Sequence, residues 1–381
     1  MTVGSCIIVG GGPAGIHVAK SIAKFSKGSV DVTIVDRQDY MDWSLASPRS
    51  LAKPSDIEQK GYVMPLKSVV KHIDQYGSTT FVQGSVQKIG PKAVTLEGGE
   101  MLEADTIVIA VGGHYASGAI WKPLPDQTTK EARIAAFEVL HNKISKCQSI
   151  AVAGAGPTGV EVAGELKAAF PELRVILIGS MLPNSPPKLQ GRMKKALEGM
   201  HVEVMEGRVD MTEPDADGKV TTRGGVVLEG VDMILNAAGF VFSGTSLADD
   251  TLKIDVTKRG QFQCRPTLQL QNQDSVFCCG DILAVPKGCF ADVKGLMHGQ
   301  QTAETVAHNI VATLQEMPLK DFKWSKVPIN KPMMTSLGPN KGVGHIGLPN
   351  FIEDFIAKKV KSEDYYMSVK GNSMYGKGKT W

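Results

Sequence analysis

Two glycine-rich turns constrain this chain more than any other feature. Gly10-Gly11-Gly12-Pro13-Ala14-Gly15 and Gly154-Ala155-Gly156-Pro157-Thr158-Gly159 both read G-x-G-x-x-G, and they begin 144 residues apart. Each follows a short apolar run (residues 6–9 or 150–153) and opens a stretch of helical periodicity that leads to a second apolar run (32–35 or 175–178). That strand, turn, helix, strand context identifies a dinucleotide-binding unit rather than a chance glycine cluster. The glycines permit the tight turn, let a pyrophosphate approach the backbone and let helix pack on strand, while the helix N-terminus faces the phosphates.

The segments after each turn repeat as well. Residues 82–89, 93–96 and 106–110 read as strands, the last stopping at Ala110 and Gly112-Gly113. Residues 202–205, 226–228 and 233–236 follow the second unit and stop before Gly239. A further apolar run, 276–279, ends in Gly280-Asp281, and a helical pattern runs from about 293 to 314. Beyond the prolines at 318, 328 and 332 come two strand patterns (333–337, 342–346), an amphipathic helical segment (351–360) and a lysine-rich tail. The expected fold is α/β: two Rossmann-like dinucleotide-binding domains with a small C-terminal α+β extension. Residues 1–115 and 241–325 are expected to form one domain in two parts, 116–240 the other, and 326–381 the extension and basic tail.

Asp36 stands 21 residues after Gly15, at the end of the second strand, where a carboxylate accepts hydrogen bonds from ribose hydroxyls. The same offset from Gly159 gives Ser180, preceded by Gly179, with no acid. A carboxylate there would repel a ribose 2′-phosphate, whereas glycine and serine tolerate one, and Lys188 or Arg192 would supply positive charge. The sequence therefore favours NADPH, or use of both NADPH and NADH, over strict NADH. Glu161 lies two residues into the second helix, near a helix N-terminus that favours a carboxylate. Two dinucleotide sites without a substrate domain of comparable size imply that one dinucleotide reduces the other, and nicotinamide to flavin is the usual pair. Gly280 and Asp281 fit that pairing, glycine letting the backbone come close and Asp281 accepting from ribityl hydroxyls.

The 381 residues include 42 Lys+Arg against 39 Asp+Glu, a net charge of +3, and only 6% aromatics, so nucleic acid is not an expected partner. Residues 355–381 carry +4 and residues 1–354 carry −1. The apolar positions Phe351, Ile352, Phe355, Ile356 and Val360 fall on one helical face, so segment 351–381 is expected to touch an anionic membrane surface peripherally. Six cysteines form no CxxC or CxxxxC pair, and adjacent Cys278 and Cys279 would point to opposite faces of a strand. Disulfide reduction is therefore disfavoured, and a reducing compartment is expected. No metal site is expected. A motif beginning by Gly10 leaves no room for a signal or transit peptide, and Thr2 replaces the glycine that myristoylation needs, so a cytoplasmic location is expected.

Further stretches carry a family resemblance: Asp39-Tyr40 through Trp43-Ser44-Leu45-Ala46-Ser47-Pro48-Arg49, Gly159-Val160-Glu161-Val162-Ala163-Gly164-Glu165, Ser336-Leu337-Gly338 with Gly342-Val343-Gly344, and Lys361-Ser362-Glu363-Asp364-Tyr365-Tyr366. With the two turns, they make the chain resemble the pyridine nucleotide–disulfide oxidoreductase superfamily, and within it the apoptosis-inducing-factor-like branch that includes ferroptosis suppressor proteins. The resemblance implies FAD at Gly10, Gly12, Pro13, Ala14, Gly15, Asp36, Ala110, Gly112, Gly280 and Asp281. It implies NADPH or NADH at Gly154, Gly156, Pro157, Thr158, Gly159, Glu161, Gly179, Ser180 and Gly239. Arg49 and Lys361 are implied near the flavin, and a quinone is the implied acceptor of electrons that pass from NAD(P)H through FAD. A protein acceptor of the ferredoxin or rubredoxin type, or a slow redox-sensing role, are the alternatives. Thr302 stands where the branch often has histidine.

Overall fold

The computed structural model describes residues 2–183, 185–242, 244–252, 254–289, 296–325, 333–345, 351–352 and 354–368. The expected helix start near 293–295 and the tail beyond 368 lie outside the described residues. In chain order the principal elements of the first part are β1 (Gly4–Val9), α1 (Pro13–Ser26), β2 (Val30–Asp36), α2 (Ser47–Ala52), β3 (Thr79–Gln83), β4 (Thr106–Ile109) and α3 (Lys130–Ile144). The second unit contributes β5 (Ser149–Ala153), α4 (Pro157–Ala169), β6 (Arg174–Ile178), α5 (Pro187–Glu198), β7 (Val202–Met205) and β8 (Met233–Asn236). Then follow β9 (Val276–Cys278), α6 (Leu296–Leu314), β10 (Met333–Ser336), β11 (Gly342–His345), β12 (Phe351–Ile352) and α7 (Asp354–Ala357).

The first sheet is parallel throughout, in the order β9-β4-β1-β2-β3. β1 lies inside this sheet, and Cys6 to Val9 are buried, which explains a continuous apolar run instead of alternation. α1 starts at Pro13, whose missing N–H costs nothing at a helix start, and its inward residues include Ile16, Val18, Ala19, Ile22 and Ala23. It ends where Lys27 turns left-handed (φ 52°) and its N–H bonds the Ala23 carbonyl. α1 packs along α6, so the helix after the second motif half closes the same layer that the first turn opens.

The second sheet repeats the plan with β7-β6-β5-β8, again parallel. The expected strand 82–89 is two elements: β3 joins the first sheet, and Val86–Ile89 turns away into a small antiparallel sheet with Ala93–Leu96 and Met101–Glu103. The break falls at Gly84, whose N–H bonds the Asp36 carbonyl and where a Cβ would come within 2.9 Å of Leu96. α3 leans on α2, and its Arg133, fully buried, donates to Asp42 at 2.7 Å and to the Ile120 carbonyl at 2.9 Å.

The third sheet is antiparallel, β10-β11-β12. Here the sequence pattern misleads: Phe351 and Ile352 pair with β11 as an edge strand instead of opening an amphipathic helix, and among the described residues of the segment only the four of α7 are α-helical. A π-helical turn, Lys358–Ser362, follows, and Tyr365 and Tyr366 are both left-handed (φ 53° and 67°). Helical periodicity assumes one regular helix, which three changes of backbone within a dozen residues violate. Among the described residues no helix is long and apolar enough to cross a membrane.

The two glycine turns superimpose in their constraints. A Cβ on Gly15 would lie 1.9 Å from the Gly10 carbonyl oxygen, and one on Gly159 would lie 1.7 Å from that of Gly154, whereas a Cβ on Gly12 or Gly156 meets nothing within 4 Å. Gly15→Ala and Gly159→Ala are therefore expected to destabilise the protein by about 1–3 kcal/mol or more, read as a lower denaturant midpoint. Gly12→Ala and Gly156→Ala are expected to stay within about 0.5 kcal/mol of the parent and to weaken only ligand binding.

Candidate active site

The first turn, the strand ends and the Gly280 loop converge at the carboxyl ends of β1, β4 and β9, the position where an open parallel sheet leaves a crevice. Gly10 is pressed against Ala110, whose carbonyl oxygen would be 2.7 Å from a Cβ there. Gly280 (φ 74°) closes on Ala14, 3.0 Å from a Cβ at that position. Thr302 holds this approach in place: its hydroxyl accepts the Gly280 N–H at 3.2 Å and donates to the His298 carbonyl at 2.8 Å. Asp36 sits under the turn, accepting from the Gly11 N–H at 2.6 Å and the Gln38 N–H at 3.0 Å. Burial pushes its carboxyl above the usual range, against those hydrogen bonds. Asp281 begins a 3₁₀ turn directly after Gly280.

The second turn lies equally close to its strand ends. Gly154 is pressed against Ala237 and Ala238, each with an atom 3.0 Å from a Cβ there, and a Cβ on Gly179 would be 2.6 Å from the Ala155 nitrogen. Beyond Gly239 the chain forms Phe240–Val241, which pairs antiparallel with His114–Tyr115 beyond Gly112-Gly113, so the loops leaving the two sheets meet. Tyr115 crosses this junction, its hydroxyl 2.9 Å from that of Thr158 and its ring edge-on to Phe240 at 5.3 Å. Ser180 lacks an acid of its own, but its hydroxyl donates to Glu206, just past β7, at 3.2 Å. A strand-by-strand reading missed this because the carboxylate comes from the neighbouring strand.

Both Arg49 and Lys361 are buried. Arg49, on α2, forks onto Glu165 of α4, with Nε–Oε2 2.6 Å and Nη2–Oε1 2.8 Å. Its remaining donors reach the carbonyls of Ser362 at 2.8 Å and Glu363 at 3.3 Å. Burial works against its charge most strongly, but Glu165 outweighs it and holds the guanidinium above its ordinary value. Lys361 pairs with Glu161 at 2.5 Å and donates to the Met334 carbonyl at 2.9 Å. It is therefore neither a tail lysine nor part of a solvated helix face.

Glu161 and Glu165 lie one turn apart on α4, which puts both carboxylates on one face. Three residues that sequence reasoning gave no role complete the cluster. The Ser336 N–H donates to Glu161 at 3.2 Å, the Tyr365 hydroxyl donates to Glu165 at 3.0 Å, and Trp43 Nε1 donates to the Tyr365 carbonyl at 2.8 Å. The spacing of Glu161 and Glu165 was the available signal; their partners come from residues too distant in the chain to be read from spacing. Burial dominates at Glu161 and raises its carboxyl, although Lys361 opposes it. At Lys361 burial is again the largest influence, but Glu161 and Tyr366 overcome it and the ammonium is held above its ordinary value.

The cysteines take no part in this cluster. Burial raises the Cys278 thiol, assisted by Cys264, and pushes Cys279 up to about 12, so neither supplies a thiolate near neutral pH.

The pyridine nucleotide-disulphide oxidoreductase family matches residues 4–309. The chain belongs to this family. It is 25% identical to mouse ferroptosis suppressor protein 1 over 97% of this chain and 95% of that one. It is 26% identical to apoptosis-inducing factor homolog B of Dictyostelium discoideum over 96% of each chain. The solved sulfide:quinone oxidoreductase of Aquifex aeolicus shares the fold, with a TM-score of 0.73, 16% identity and coverage of 98% of this chain and 92% of that one. The resemblance to the apoptosis-inducing-factor-like and ferroptosis-suppressor branch and the Rossmann-like α/β fold are thus both found.

Replacing one partner of the buried fork leaves the other charge unsatisfied. Arg49→Met and Glu165→Gln are each expected to cost about 3–5 kcal/mol in chemical denaturation, and the double replacement less than their sum. Lys361 contributes stability that is fully present below its ordinary value of 10.5 and is lost as pH climbs through its raised folded value. The stability gap between the parent and Lys361→Met, measured by urea unfolding, is expected to narrow as pH rises past that point.

Proposed function

We propose that the protein is an FAD-dependent NAD(P)H oxidoreductase that passes electrons to a quinone. The observation that carries this is the pair of glycine turns, each at the mouth of its own parallel sheet, joined by Tyr115 and Thr158. The first turn suits FAD: Gly12 leaves the turn open where a pyrophosphate would approach, Asp36 lies directly beneath it, and Gly280 brings Asp281 to the same crevice. When bound, FAD accepts hydride from a nicotinamide and releases electrons to an acceptor.

The residues of the chain bind, orient and hold protons around that chemistry. Backbone N–H groups of both turns would hold the phosphates, and Asp36 and Asp281 would accept from sugar hydroxyls. Lys361 keeps a proton on Nζ because Glu161 stabilises its ammonium inside the protein, and it is the candidate proton donor to a reduced acceptor. Arg49 acts through Glu165 and the Ser362 carbonyl, positioning the segment that bears Lys361. Support for a quinone comes from the sequence resemblance, and the buried, protonated thiols of Cys278 and Cys279 speak against a dithiol relay. Ile356 and Lys359 are exposed beside this segment, which keeps a peripheral contact with an anionic membrane within the proposal.

Purified protein is expected to show a flavin absorption spectrum that is bleached by NADH or NADPH without oxygen and restored by a short-chain ubiquinone. No flavin after incubation with FAD would overturn the proposal; bleaching without return by any quinone, but with return by a ferredoxin, would replace the acceptor. Lys361→Met is expected to bind FAD and lower kcat with quinone by about 10²-fold. For the membrane contact, sedimentation with anionic liposomes is expected to fall when Ile356 and Lys359 are replaced by glutamate.

A further inference from the structure

The two dinucleotide units place their acids differently. In the first, Asp36 ends β2 and its carboxylate accepts the Gly11 N–H, with Gln83 of β3 as its neighbour in register. In the second, Ser180 takes the place of Asp36 and Ala155 that of Gly11, and the carboxylate has moved one strand across the sheet, to Glu206. Its backbone position is fixed: Gly179 N–H bonds the Met205 carbonyl at 3.0 Å, directly before Glu206, and Ile178 pairs in register with Met205. The Ser180 hydroxyl then meets the Glu206 carboxylate at 3.2 Å. Arg208 and Arg223 are both paired with Asp210, Arg208 at 3.1 Å.

We propose that Glu206, held beside Ser180, sets the dinucleotide selectivity of the second site and makes NADH its preferred donor. This rests on the proposal that the second turn binds NAD(P)H. Ser180 and Glu206 stand beside the strand end where the adenosine ribose of a dinucleotide lies. A free 2′-hydroxyl donates to the carboxylate, whereas a 2′-phosphate brings nearly two negative charges against it. At the surface, charges of that size about 4 Å apart correspond to roughly tenfold discrimination or more. Lys188 and Arg192 are exposed on α5, the helix that follows this strand, and are the cations that would favour the phosphate instead.

The test is isothermal titration of the FAD-loaded full chain with NADH, NADPH and the fragments ADP-ribose and 2′,5′-ADP, alongside kcat/KM for both donors. NADH is expected to bind about tenfold more tightly than NADPH, with the fragments following the same order. Glu206→Gln is expected to bring the two within about threefold, and added salt to narrow the gap in the parent but not in the variant. Equal or tighter binding of NADPH by the parent, an unchanged ratio in a folded Glu206→Gln, or a loss of NADPH affinity alone in Lys188→Ala would each overturn the proposal. Binding of neither dinucleotide would overturn the underlying assignment of the second turn, and this proposal with it.

Discussion

The fork between Arg49 and Glu165 is the contact on which the rest of the architecture turns. It joins α2, which belongs with the first sheet, to α4, which belongs with the second, and its spare donors reach the carbonyls of the C-terminal segment. A guanidinium removed from water is tolerable only when nearly every donor is matched, and here a carboxylate and two carbonyls match them. The bidentate geometry also fixes orientation: the planar fork meets the planar carboxylate along one direction. One turn earlier on α4, Glu161 therefore faces the same segment and meets Lys361.

Around this fixed centre the two dinucleotide units are alike in backbone and unlike in charge. The same collisions would block a side chain at Gly15 and at Gly159, and the same openness is kept at Gly12 and Gly156. Backbone geometry of this kind is imposed by packing helix onto strand and leaves little room to vary. The polar residues at the strand ends differ: one unit presents Asp36 under its turn and the other presents Ser180 and Glu206. The architecture repeats while the polar groups at the strand ends differ.

Most of the sheet architecture was legible in the sequence because it rests on local signals: apolar runs, glycine spacing and helix starts. Asp36, Gly280 and Asp281 were found by offset from those signals, and the structure gathers Asp36 and Gly280 at the first crevice. Arg49, Lys361 and Glu161 were singled out too, but not their pairing, because no periodicity links residue 49 to 165 or 161 to 361. Glu206 was missed for a related reason, since strand adjacency puts it beside Ser180 across 26 positions. The region 351–366 failed differently: its apolar spacing fits a helix, while edge pairing, a π turn and two left-handed tyrosines override it.

Those tyrosines carry a consequence for how the molecule is made. Trp43 bonds to a carbonyl 322 positions away and Arg49 to one 313 away, so the central cluster has nearly the largest loop to close that a chain of this size allows. During synthesis both sheets can form while Arg49 and Glu165 still lack Ser362, Glu363 and Tyr365, which leave the ribosome after every strand of the two sheets. Left-handed conformations at two successive tyrosines hold only when surrounding structure enforces them. The order of assembly thus runs from the two parallel sheets to the cluster between them, and the ammonium of Lys361 is enclosed only after both sheets have been made.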